Sequence, residues 1–133
     1  MAVAAPPLAP APHTRPTVDW ALVGAITGTL LGAPISPGTA AGNARVMSHP
    51  DDGPVLPGDI LVIPVFSAAW MPLLRLAGGV VAEIASVLSE PATQAREARV
   101  PVVGGIPGAT GLISDGIRLV IDGSHGLVHV TRS

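Results

Sequence analysis

The sequence predicts a single mixed α/β domain, on three observations. Strand-length apolar runs alternate with helix-length segments through the middle of the chain, and short strands alone fill its C-terminal third. Apolar residues make up 48% of the 133 residues but aromatic ones only 2%, so the core is built from Val, Ile, Leu and Ala, which suit sheets packed on helices. A chain of this length buries an ordinary core without cross-links, and there is no cysteine to make one.

The elements follow in order. Residues 1–17 are Ala/Pro low complexity, expected as a disordered arm, and residues 18–133 form the domain. Val18 to Leu31 is apolar but broken by glycines, which leaves it open between a short helix and a strand. The apolar stretch Trp20 to Ile35 is shorter than the roughly 18 residues of a membrane span and carries Gly24, Gly28 and Gly32, so no span is expected. Pro37-Gly38 turns into a short strand ending near Met47, and Ser48 to Pro57 is a loop. Ile60 to Val65 is uniformly apolar, a strand covered on both faces. Ser67 is expected to cap a helix over Ala68 to Ala77, with Trp70, Leu73, Leu74 and Ala77 on one face and Gly78-Gly79 as its stop. Val80-Val81 begins a strand. Glu90 to Ala98 is a second helix with Pro91 in its first turn, and Val100 to Val103 is a strand. Gly104 to Gly108 lacks the Lys of a nucleotide loop and is read as a turn. Leu112-Ile113, Ile117 to Ile121 and Leu127 to Thr131 form a meander divided by Asp115-Gly116 and Asp122-Gly123.

Charge narrows the partners. The net charge is −2, and all seven basic residues are Arg, too few and too scattered for a nucleic-acid surface. The segment before Trp20 has five prolines and Asp19 rather than a cationic start, so a signal peptide is not expected and a cytoplasmic location is. The Ala, Gly, Pro and Arg bias with no Lys is the signature of a GC-rich bacterial genome. The histidines at 13, 49, 125 and 129 do not fall at metal-ligand spacing, and neither metal nor cofactor is expected.

Four ordered blocks carry a family resemblance: Ser36-Pro37-Gly38 with Ala41-Gly42; Pro57-Gly58-Asp59-Ile60-Leu61-Val62; Trp70-Met71-Pro72-Leu73 leading to Gly79-Val80-Val81; and Ala95-Arg96-Glu97 followed by Val100 to Val103. Over residues 30 to 130 the chain resembles the phosphohistidine swivelling domain of phosphoenolpyruvate-utilising enzymes, which include pyruvate phosphate dikinase and Enzyme I of the sugar phosphotransferase system. The resemblance implies a three-layer β/β/α swivelling domain that carries a phosphoryl group between distant active sites. The family's reactive stretch has the form Thr-Glu-x-Gly-Gly-x-x-Ser-His-x-Ala-x-x-Ala-Arg-Glu. Here Glu83, Ser89, Ala92, Ala95, Arg96 and Glu97 match, whereas Ala82 replaces the threonine, Ala85-Ser86 the glycine pair and Glu90 the histidine.

Phosphoryl transfer needs a nucleophile that attacks phosphorus and then leaves easily, which an imidazole does and a carboxylate does poorly. The glycines that admit a phosphate to backbone N–H groups are also gone. Carrier activity is therefore not expected. Since the chain starts with Met and ends shortly after its last strand, it is expected to be a separate protein. The first functional expectation is a repurposed, cofactor-independent enzyme of the cyclase, isomerase or lyase type in bacterial secondary metabolism, acting on an apolar small molecule. Glu90 and Glu83 are its candidate acid and base, and Ser89, Ser86, Arg96 and Trp70 its candidate substrate contacts. The competing structural readings are a helix-start charge for Glu90 and an ion pair with Arg96 or Arg75 for Glu83. The second expectation is a non-enzymatic module that binds or regulates a phosphoenolpyruvate-type phosphotransferase, or a homo-oligomer. A residual carrier using Glu90 is the third.

Overall fold

The computed structural model describes residues 26–131. The expected arm over residues 1–17, and the part of the ambiguous segment before Ile26, lie outside the described residues. The remainder of that segment is a strand, β1 (Ile26–Leu31), followed by β2 (Ala33–Ser36), β3 (Thr39–Val46) and β4 (Ile60–Val65). A 3-10 turn (Ala68–Trp70) runs into α1 (Met71–Leu74), then come β5 (Gly79–Ile84), α2 (Glu90–Ala98), β6 (Val102–Gly104), α3 (Ala109–Leu112), β7 (Arg118–Asp122) and β8 (Leu127–Thr131).

The strands lie in the order β1-β8-β7-β3-β4-β5-β6-β2, and β3 divides them into two layers. Its first half, Thr39 to Asn43, pairs antiparallel with β7, and its second half, Ala44 to Val46, pairs parallel with β4. The outer antiparallel sheet packs Leu119, Ile121 and Val128 against Ile60, Val62, Val81 and Val103 of the inner sheet. The alternate residues of the inner sheet, Leu61, Ile63, Val80, Ala82 and Val102, face Ala92 and Ala95 of α2 together with Trp70 and Leu74. Side chains alternate across a strand, so a strand buried on both faces must be apolar throughout, as Ile60 to Ile63 are. The result is the three-layer β/β/α arrangement that the resemblance implies.

Two glycines make the layering possible. A Cβ at Gly42, where β3 changes sheets, would run into the Gly58 carbonyl oxygen. A Cβ at Gly123, in the β7–β8 turn, would run into the Ser36 carbonyl oxygen at the end of β2, so this turn closes the outer sheet onto the inner one.

Three elements differ from expectation. The helix over Ala68 to Ala77 is reduced to the 3-10 turn and the single turn of α1. Ser67 occupies the cap position but its side chain makes no capping bond. Tertiary bonds claim the far end, because Leu76 gives its carbonyl to Gly58 and the Gly78 N–H goes to Asp59. Trp70, Leu74 and Ala77 are buried all the same. The strand at Leu112-Ile113 is instead the end of α3, whose Ala109, with Ile113 just beyond, plugs the mouth between the two sheets. Finally, β6 starts at Val102 rather than Val100, whose N–H is taken by the Ala95 carbonyl at the end of α2. Among the described residues no helix is long and apolar enough to cross a membrane.

Candidate functional site

The site is built at the C-terminal edge of β5 and the start of α2. The loop between them is tightly bonded: Ser86 Oγ accepts from the Leu88 N–H at 3.2 Å, and the Ser86 carbonyl accepts from Ser89 Oγ at 2.9 Å. Ser89 is the N-cap of α2, in extended backbone, and its Oγ accepts from the Ala92 N–H at 3.2 Å. Both candidate serines are therefore engaged in shaping the turn. Ala85, first of the pair that replaces the glycines, packs its methyl over Gly104, where a Cβ would lie only 2.7 Å away. The loop is thus filled by a side chain where the family has none.

Glu90 follows as the first residue of α2, exposed, with its carboxylate at the positive end of the helix dipole. Its partner is the Gln94 side chain, whose Nε2 donates to Oε2 at 3.4 Å. The end of β5 and the loop before Glu90 turn apolar side chains outward: Ile84 is 63%, Val87 44% and Leu88 90% exposed.

Glu83 does not share this site. It alternates with Ala82 on β5 and lies on the same face as Val81, toward the outer sheet, whereas α2 covers the face of Val80 and Ala82. Its Oε2 accepts from Thr110 Oγ1 at 2.6 Å and from the Thr110 N–H at 2.9 Å. These bonds, the hydroxyl's first, hold the Glu83 carboxyl below the usual carboxylate range. The expected ion pair with Arg96 or Arg75 is not formed. Thr110 had no signal in the sequence, because it falls between the turn read at Gly104 to Gly108 and the strand read at Leu112-Ile113.

Arg96 spans the loop and the edge strand. Its Nη1 donates to the Ile35 carbonyl at 2.9 Å, and its Nη2 donates to the Val87 carbonyl at 3.0 Å and to Thr93 Oγ1 at 3.3 Å. Trp70 is 4% exposed in the core beneath α2, remote in role from a substrate contact, although its edge borders a shallow depression of about 210 Å³ with His49 and Pro64. A larger open depression, about 530 Å³, lies at the far end of α2 between Arg96, Arg99 and the turn at Pro37 to Thr39. Arg99 was not singled out by the sequence; it follows the last helical residue, where glycine is the usual signal. Among the described residues no three His, Cys, Asp or Glu side chains are placed to hold a metal ion. The candidate residues thus separate into a Ser86–Ser89–Glu90 edge, a Glu83–Thr110 pair on the opposite face, and a buried Trp70.

Comparison with known proteins gives this arrangement a family. The chain is 35% identical over 103 residues to rifampicin phosphotransferase of Bacillus subtilis strain 168, covering 77% of this chain and 12% of that protein. It is 35% identical over 129 residues to the prodigiosin synthesizing transferase PigC of Serratia marcescens, covering 96% of this chain and 14% of that protein. The chain therefore spans 12 to 14% of the length of these relatives. Among solved structures, the N-terminal domain of Enzyme 1 - Nitrogen superposes with a TM-score of 0.53 at 25% identity, over 61% of this chain and 34% of that one. The family model described as PEP-utilising enzyme, mobile domain, matches residues 55–126, from the loop before β4 to the turn before β8, and the chain belongs to that family.

Proposed function

We propose that this chain is a docking module of the phosphoenolpyruvate-utilising type that does not itself carry phosphoryl groups. The observation that carries this reading is the setting of Glu90, an exposed carboxylate on the first residue of α2 beside a rim of outward apolar side chains. By the motif match, the family has at this place a histidine that takes and yields a phosphoryl group. Glu90 supplies a standing negative charge at the same helix start, so it imitates the charged state of a carrier without making or breaking a bond to phosphorus. A partner cleft shaped to receive phosphohistidine would be drawn to that anion, and Ile84, Val87 and Leu88 would supply the desolvated contact. The likeness to PigC supports a setting in bacterial secondary metabolism.

The acid–base enzyme has weaker support. Its two carboxylates lie on opposite faces of the inner sheet, and Glu83 is held toward its ionised form rather than raised toward neutrality. Neither described depression is lined by Glu83 or Glu90.

The test combines the full chain with the nucleotide-binding portion of a phosphoenolpyruvate-utilising transferase from the same source, by titration calorimetry and with labelled ATP. A complex that Leu88→Asp weakens at least about tenfold, with no label on the chain, is the expected result. Stoichiometric label that disappears in Glu90→Gln would make the chain a carrier and end this reading, as would the absence of any complex.

A further inference from the structure

We propose that the depression at the C-terminal end of α2 binds a small organic anion bearing at least two negative charges. Its volume, about 530 Å³, falls within the roughly 300–1,000 Å³ of small-molecule sites. Its lining brings together two of the chain's seven arginines, Arg96 and Arg99, and includes no carboxylate, in a protein whose net charge is −2. Guanidinium forks match the oxygens of phosphate and carboxylate groups in pairs.

One guanidinium is already set in place. The three bonds from Arg96 to Ile35, Val87 and Thr93 fix its plane and leave its Nε–H and one Nη1–H, which lie on different edges, without a described protein partner, so it offers an anion a fixed charge and single N–H contacts. The other is delivered at a conformational cost. Arg99 is the only described non-glycine residue with positive φ, at 61°, in a position where helices usually end on glycine. Arginine there gives up backbone comfort and places a side chain in the depression, and it makes no ion pair among the described residues.

The dipole of α2 offers an ordinary reason for cations at this end, but two of its last four carbonyls are already served by backbone N–H groups. The Arg99 N–H bonds the carbonyls of Ala95 and Arg96, and the Val100 N–H also reaches Ala95. Among the described residues these capping bonds come from backbone N–H groups and none from the Arg99 guanidinium. Gly38, Gly78 and Pro101 keep the rest of the wall low and uncharged. The site lies at the opposite end of α2 from Glu90 and stands independently of the docking role.

Titration calorimetry of the full chain with inorganic pyrophosphate and, separately, with citrate, against sodium chloride at equal ionic strength, tests the proposal. Saturable binding of at least one of the two at a single site is expected, and which one binds assigns the phosphate or carboxylate class. Arg99→Gly is expected to weaken it at least about tenfold while unfolding at a temperature no lower than the parent, since glycine accepts the backbone conformation. Arg99→Gln, which removes the charge and the guanidinium fork but keeps a polar side chain at the same backbone position, is expected to weaken binding similarly. Absence of saturable binding of both anions, or binding undiminished in both variants, would overturn the site.

Discussion

Glu83 and Thr110 are joined twice, through the hydroxyl at 2.6 Å and the backbone N–H at 2.9 Å, and so the end of β5 is tied to α3 across the mouth of the core. Both bonds favour the carboxylate form, and the Glu83 carboxyl titrates lower in the folded chain than the ordinary 4.5. The folded state therefore binds fewer protons there than the unfolded one. The stabilisation is fully present above pH 4.5 and fades as pH falls through the folded value. Thr110→Val removes the stronger bond and is expected to flatten that acid slope in urea unfolding between pH 3 and 6 while barely changing its shape above. Asp52, lowered in the same direction by the N–H groups of Ser48 and His49, keeps part of the slope. An unchanged slope in Thr110→Val would contradict the assignment.

Two serines stand at helix starts, and only one of them caps. Ser89→Ala is expected to cost about 1 kcal/mol, because the Ala92 N–H loses its acceptor. Ser67→Ala, which removes no capping bond, is expected to stay within about 0.5 kcal/mol of the parent. Equal losses in denaturant midpoints would show that the distinction is false.

Gly123 closes the turn against the Ser36 carbonyl, with no room for a methyl group. Gly123→Ala is expected to destabilise by about 2 kcal/mol or more, since backbone must shift at the point where the two sheets meet. Gly28→Ala, whose Cβ would meet nothing within 4 Å, serves as the tolerant control.

Glu90→His tests how far the reactive stretch has changed. The new imidazole would stand at the start of α2, but Ala82 lacks the family's hydroxyl and Ala85 fills the loop over Gly104. No stable label from ATP is expected in the presence of a nucleotide-binding partner domain. A labelled Glu90→His chain would mean that the histidine was the only missing part.

Much of this architecture was readable from the residues. The unbroken apolar run at Ile60, the Glu90 to Ala98 helix with Pro91 in its first turn, and the strands between Asp-Gly turns are local signals, and each reappears with its expected bounds except β7, which moves by one residue. What failed depended on distant partners. The helix after Ser67 was cut short because Leu76 and Gly78 bond to the Gly58-Asp59 turn, and Leu112-Ile113 joined α3 because Ala109 found a place between the sheets. At the candidate site, the period of two already sets Glu83 apart from Ala82. Which face α2 would cover is a tertiary fact, and it decides that Glu83 and Glu90 do not meet.

The outer sheet has a bearing on how the chain acquires its structure. Its strand order joins β1 to β8 by pairs such as Thr29 with His129, about a hundred residues apart, with β7 and β8 supplying the bridge back to β3. Such distant pairing raises contact order and slows folding. On the ribosome the inner sheet and α2 emerge before β7 and β8, and the apolar face formed by Ile60, Val62, Val81 and Val103 is not fully covered until Leu119, Ile121 and Val128 have left the exit tunnel. Synthesis thus passes through a stage with an open, sticky sheet that only the final strands can cover.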